Sequence, residues 1–232
     1  IYLGKFGAGK TCSMVRDAYF ICKRYPDVTI ITNLKLENFP EDTKILPLTC
    51  IQDILNAPDD TVVLIDEIGT IFNSRDFANG KTKDGEGGLP KILFQHICQC
   101  RHRHLVIYGT VQRWGFLEKQ LREITNDVTV CSAFPFHPFS RMITNWVYDA
   151  EEYNLFYQSP IRPLAPLSGE VWIQSDFFRN LYDTQEMVNT LLTMEYISDE
   201  DIERNRQFEA LGLPAPMDKK GEKKLRNNLR NR

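Results

Sequence analysis

Residues 1 to 11 read IYLGKFGAGKT: a short apolar run, then Gly4, Gly7 and Gly9, then a lysine and a threonine. No other stretch limits the fold as much. A strand that turns straight into a helix through glycines can aim several backbone N–H groups at one point beside the positive helix end, which makes a nest for an anion. Gly4, Gly9, Lys10 and Thr11 fit the pattern G-x-x-x-x-G-K-[ST], between a strand (1–4) and a helical pattern over Lys10 to Lys23. Gly4, Lys5, Phe6, Gly7, Ala8, Gly9, Lys10, Thr11 and Cys12 are therefore the expected phosphate cradle. In such a cradle Lys10 supplies a point charge for the β- and γ-phosphates, and Thr11 supplies an oxygen for Mg²⁺. ATP with Mg²⁺ is the expected ligand.

The periodicity downstream predicts what surrounds that loop. VTIITN (28–33) is a β-branched strand, Ile51 to Leu55 a short helix, and TVVLIDE (61–67) a continuous apolar run of the kind a strand buried on both faces shows. A helix follows from Pro90 to about Arg101, then a strand over 104–110, a helix over 116–124 and a strand over 127–134. This alternation predicts an α/β fold, a mainly parallel sheet with helices on both faces: a P-loop NTPase. After Pro135 the pattern changes to aromatic- and proline-rich runs such as FPFHPF and SPIRPLAPLSGEVW, which read as an antiparallel hairpin and extended arms. Three parts are expected: an ATPase core over 1–134, an extension packed on it over 135–197, and an acidic helix with a basic tail over 198–232.

The apolar run ends in Asp66 and Glu67. A carboxylate there is placed to hold Mg²⁺, and its neighbour to polarise an attacking water as a general base. An adjacent Asp-Glu favours hydrolysis over a nucleotide switch. At the next strand end, Thr110 and Gln112 are candidates to contact the γ-phosphate or the water. Arginines that could act on a neighbouring subunit's nucleotide are, in order, Arg122, Arg103 and Arg101, with Arg113 also basic.

Charge gives weaker guidance. The chain is formally at −3, so it carries no global basic field, but residues 218–232 hold seven Lys/Arg against Asp218 and Glu222. Such a tail suits phosphate tracking or is simply a solvated end. Lys81 and Lys83 in a glycine-rich loop are a second candidate contact for nucleic acid. The aromatics between Phe134 and Trp172 could stack on bases, but core or subunit packing is the favoured reading. Six cysteines without short-loop spacing read as free thiols, and the run from His96 to His104 lacks the turn-borne pairs of a structural zinc site. No apolar stretch is long enough for a membrane span, and the chain is expected to be cytosolic. The chain also starts in mid-strand, so a few residues before Ile1 are expected to be missing.

With GKFGAGKT, VVLIDEIGTIFNSRDF and QCRHRHLVIYGTVQRWGFLEKQLREITNDV in view, residues 1–134 resemble the zonular occludens toxin-like ATPases of bacteriophages, a branch of the FtsK/HerA group of DNA motors. Asn73-Ser74-Arg75, the Arg-His before the 104–110 strand and Gln112 narrow the resemblance beyond motifs common to many ATPases. It implies movement of viral DNA or virion assembly by a homo-oligomeric ring, a hexamer or pentamer, with other assembly proteins as partners. Members from filamentous phages usually carry a membrane helix after this domain; its absence here shifts the expectation towards packaging. A nucleotide-dependent scaffold with little turnover and a small-molecule kinase remain alternatives.

Overall fold

A computed structural model describes residues 1–49, 51–71, 95, 97–99, 103–135, 138–139, 141–160 and 163–183. The strands are β1 (Tyr2–Leu3), β2 (Thr29–Thr32), β3 (Lys35–Leu36), β4 (Lys44–Pro47), β5 (Thr61–Ile65), β6 (Val106–Val111), β7 (Asp127–Phe134), β8 (Met142–Asp149), β9 (Ser168–Ile173) and β10 (Tyr182–Asp183). The helices are α1 (Lys10–Arg24), α2 (Ile51–Leu55), α3 (Ile68–Ile71), α4 (Lys119–Ile124), α5 (Ala150–Gln158) and α6 (Asp176–Arg179), with a 3₁₀ turn at Trp114–Phe116. Gln95 and Ile97 to Gln99 are helical, inside the helix expected from Pro90. Asn73 to Arg75, Lys81, Lys83, Arg101 and the acidic and basic segments after residue 198 lie outside the described residues.

Eight strands form one sheet in the order β4-β2-β5-β6-β1-β7-β8-β9. From β4 to β7 neighbours run parallel, and β8 and β9 are antiparallel. The fold is thus α/β with a mainly parallel sheet.

The continuous apolar run of β5 has a direct physical reason. Val62 and Leu64 enter one buried cluster with Met14, Val15 and Ala18 of α1, while Val63 and Ile65 enter another with Trp114, Leu117, Leu121 and Ala150. A strand covered on both faces has no polar side to show, which removes the alternation seen in half-exposed strands.

Local structure departs from the periodicity in three places. Residues 116–118 do not join the helix expected over 116–124; the chain makes a 3₁₀ turn at Trp114–Phe116 and α4 starts only at Lys119, where the Glu118 side chain accepts from the Gln120 N–H as a cap. Residues 150–158 form a helix where extended chain is expected. Asp149 caps it by accepting from the N–H groups of Glu151 and Glu152 at 2.9 and 3.0 Å, and those two glutamates sit in the first turn, where the helix dipole favours anions. The short β4 pairs with β2 although its own residues are mostly exposed, so it lacks the apolar signature that marks an inner strand.

Candidate nucleotide site

Parallel pairing of β1 with β6 and β7 brings the carboxyl ends of these strands to one edge of the sheet, and β5 ends there too. Ligands of open α/β sheets bind at that edge. The loop from Gly4 to Gly9 leaves β1 there and enters α1. Gly4 N–H donates to Val111 O at 3.3 Å, Ala8 N–H to Lys5 O at 3.1 Å, and Ser13 N–H to Gly9 O at 2.9 Å as the helix begins. Gly7 and Gly9 have φ of 73° and 82°. At Gly9 a side chain is excluded twice over: the left-handed backbone disfavours it, and a Cβ would lie 2.3 Å from Ile143 Cδ1.

Lys10 is buried at 6% exposure, and its Nζ donates to Lys5 O at 3.2 Å, which keeps the ammonium inside the curve of the loop. Lys5 and Phe6 are exposed at its rim. Cys12 shares the cradle only through its backbone. Its side chain points inward, and Sγ donates to Phe178 O at 3.8 Å. Burial pushes the Cys12 thiol up, with hydrogen bonds to Gln174 and Tyr182 pulling the other way.

Across the loop, Asp66 and Glu67 follow β5 directly. Asp66 is 3% exposed, and its Oδ1 accepts from Thr11 Oγ1 at 2.8 Å and from Thr110 Oγ1 at 2.6 Å. Residues separated by 55 and 44 positions thus converge on one carboxylate oxygen. Glu67 has φ of 51°, a conformation that costs a residue with a side chain about 1–3 kcal/mol and persists only where the surroundings impose it. Its N–H donates to Thr110 Oγ1 at 2.8 Å, its carbonyl accepts from Thr70 N–H and Oγ1 at 2.8 Å each, and its Oε1 accepts from Gln112 Nε2 at 3.1 Å. Gln112 therefore meets the Glu67 carboxylate.

Two further groups border the site without a sequence motif to mark them. Asn33, just past β2, bonds to the main chain of Asp66. Tyr182, on β10, has its phenol raised by burial first and then by the neighbouring Cys12 and Asp66. Both were legible only as a polar residue ending an apolar strand and as an aromatic in a distant segment.

The arginines are placed elsewhere. Arg103 precedes β6 and so lies at the opposite edge of the sheet, where it bonds to Asp59 Oδ1 at 3.0 Å and to the carbonyls of Leu55 and Ala57. Arg122 is in the last turn of α4, just before the chain enters β7 at that same edge. Neither is brought to Lys10 and Asp66 of its own chain.

The donor set suits a magnesium-bound nucleoside triphosphate. A glycine-containing loop at the start of a helix, with a buried lysine, matches phosphate oxygens. Thr11 Oγ1 and Asp66 Oδ1 offer hard oxygens to a divalent cation, and no group of three or more His, Cys, Asp or Glu that could cage a metal occurs among the described residues. Magnesium typically takes one or two protein oxygens and completes its shell with phosphates and water.

Comparison with protein-family models found no match, and comparison with curated proteins found none either. Among solved structures, the N-terminal domain of zonular occludens toxin from Neisseria meningitidis is similar over 78% of this chain and 97% of that one, with 18% identity and a TM-score of 0.50. The genome-packaging ATPase B204 of Sulfolobus turreted icosahedral virus aligns over 75% of this chain and 95% of its own, at 10% identity and a TM-score of 0.44. The flagellar accessory protein FlaH of Methanocaldococcus jannaschii aligns over 64% of this chain and 75% of its own, at 13% identity and a TM-score of 0.41. The likeness to the first of these shows a shared fold.

Proposed function

We propose that this P-loop chain is a magnesium-dependent ATPase of the viral motor type, which couples hydrolysis to movement or packaging of viral DNA. The observation that carries the reading is the convergence of Thr11 and Asp66 at 2.8 Å, beside a glutamate held by a glutamine from the next strand. A nucleotide switch needs the first pair; a hydrolase also needs the second.

In this reading Lys10 and backbone N–H groups between Lys5 and Cys12, other than that of Ala8, bind the phosphates, and Thr11 with Asp66 would hold Mg²⁺. The bound cation supplies charge neutralisation on the phosphates. Glu67 takes a proton from the attacking water, and Gln112 fixes the orientation of that carboxylate. The motor part of the proposal rests on the sequence resemblance to zonular occludens toxin-like ATPases and on the fold shared with one such domain. Ring assembly, with Arg122 acting across a subunit boundary ahead of Arg103 and Arg101, belongs to the same proposal, as does contact of the basic residues 218–232 with DNA.

Steady-state ATP hydrolysis by the purified chain, with and without single- and double-stranded DNA, tests it. Magnesium-dependent turnover that rises with DNA is expected. Turnover indifferent to DNA leaves an ATPase without the motor role, and tight nucleotide binding with no turnover favours a scaffold.

A further inference from the structure

Sheet pairing between β2 and β5 runs through Thr32 opposite Leu64, and there β2 stops. The chain leaves through Asn33 and Leu34 towards β3, while β5 ends at Ile65 and is followed by Asp66. The buried N–H and C=O of Asp66 thus lie beyond the last residue that β2 pairs with β5. The Asn33 side chain fills that place: its Oδ1 accepts from Asp66 N–H at 2.9 Å and its Nδ2 donates to Asp66 O at 3.0 Å. A carboxamide offers the same donor and acceptor as a peptide group, so one side chain acts as a further rung of the ladder. Asn33 is itself buried, and Leu34 beside it is anchored in the cluster that holds Leu181.

The next residue is Glu67, in the left-handed region. Thr110 and Thr70 hold its N–H and C=O, but neither bonds to the Asp66 N–H, so without Asn33 the φ and ψ of Asp66 would be held from one side only. We propose that Asn33 is a positioning residue for hydrolysis: its amide clamps the Asp66 main chain so that Glu67 is held in the left-handed conformation that carries its carboxylate to Gln112. The inference rests on the proposed role of Glu67 as base. Asn33 does not bond to the phosphate loop or to the Asp66 carboxylate, which Thr11 and Thr110 hold separately, so its effect falls on turnover far more than on nucleotide affinity.

The test is a double-mutant cycle on the full chain, with Asn33→Ala and Glu67→Gln made singly and together, and with kcat and the dissociation constant of ATP measured for each. Loss of a group that orients a reacting one typically costs about 10- to 100-fold, so Asn33→Ala should lower kcat by about that factor with affinity changed less than about threefold. In the Glu67→Gln background the same change should have almost no further effect, because residues that act as a unit are not additive. Equal losses in both backgrounds, or a loss confined to affinity, overturn the proposal. Asn33→Asp, which keeps the acceptor for Asp66 N–H and loses the donor to Asp66 O, supplies the same cycle should the alanine variant not fold.

Amide hydrogen exchange separates this inference from the hydrolytic reading. If the native chain turns over no ATP, that reading fails on its own, and the clamp is then judged by exchange at Glu67. Its N–H is bonded to Thr110 and not to Asn33, so faster exchange there in Asn33→Ala supports the clamp. Unchanged exchange overturns it.

Discussion

Thr110 joins the two acidic residues, and removing its hydroxyl should be felt in both stability and turnover. Its side chain has no exposed surface, and Oγ1 donates to Asp66 Oδ1 at 2.6 Å while accepting from Glu67 N–H at 2.8 Å. Thr110→Val keeps the shape and deletes both bonds. The lost bond to a carboxylate is worth about 1.5–3 kcal/mol and the donor left without a partner costs about 1–3 kcal/mol, against which the added methyl recovers a part. A net loss of about 3 kcal/mol lowers the melting temperature of a chain this size by about 6–12 °C. Thr110→Ser is the control, since it keeps the hydroxyl and gives up one methyl group, worth about 1 kcal/mol. Thermal melts of the three proteins, followed by circular dichroism, read the difference directly. If Thr110→Val melts with the native protein, or Thr110→Ser falls as far as Thr110→Val, the hydroxyl does not hold the two acids and the geometry assigned to Asp66 and Glu67 is wrong.

Other expectations follow from single side chains. Gly9→Ala forces a side chain into a left-handed position against Ile143, so it should cost about 2 kcal/mol or more and weaken nucleotide binding, as read by melts and by titration with a fluorescent ATP analogue. Arg103→Ala removes bonds to Asp59 and to two carbonyls at the sheet edge away from the phosphate loop, and should cost about 1–2 kcal/mol in stability, as read by thermal melts. Cys12, Cys22 and Cys131 are buried, and burial pushes all three thiols up, Cys131 to about 12, so iodoacetamide at neutral pH should label Cys98 and leave these three intact until the protein unfolds. Mass spectrometry of the digested protein reads that pattern.

How much of this was legible beforehand depends on how local the cause is. The phosphate loop, α1 and β5 are written in contiguous residues: glycines where the backbone must turn, then a helical period, then an apolar run matched to two covered faces. Asp66 and Glu67 follow because they end that run. Helix α5 was legible in principle, since Asp149 with Glu151 and Glu152 is a capping signal, but the surrounding aromatics and prolines drew the reading towards extended chain. The clamp by Asn33 could not be read, because it depends on where β2 leaves the sheet relative to β5, and that is set by tertiary pairing. The arginines show the same limit from the other side. Arg103 is a basic residue beside a strand in sequence, yet the strand's direction carries it to the edge opposite the phosphate loop, where carbonyls at the end of α2 and Asp59 engage it.

The central claim is that one site both binds and hydrolyses ATP through separable residues, and paired measurement of binding and turnover in Lys10→Ala and Glu67→Gln tests it most directly. Lys10 serves the phosphates and bonds only to Lys5 O, so Lys10→Ala should abolish binding and turnover together with little change in melting temperature. Glu67→Gln keeps the shape and loses the basicity, so ATP should bind with near-native affinity while turnover falls by about 10²- to 10⁴-fold, the usual contribution of a general base. Native turnover in Lys10→Ala, or full turnover in Glu67→Gln, would contradict the account.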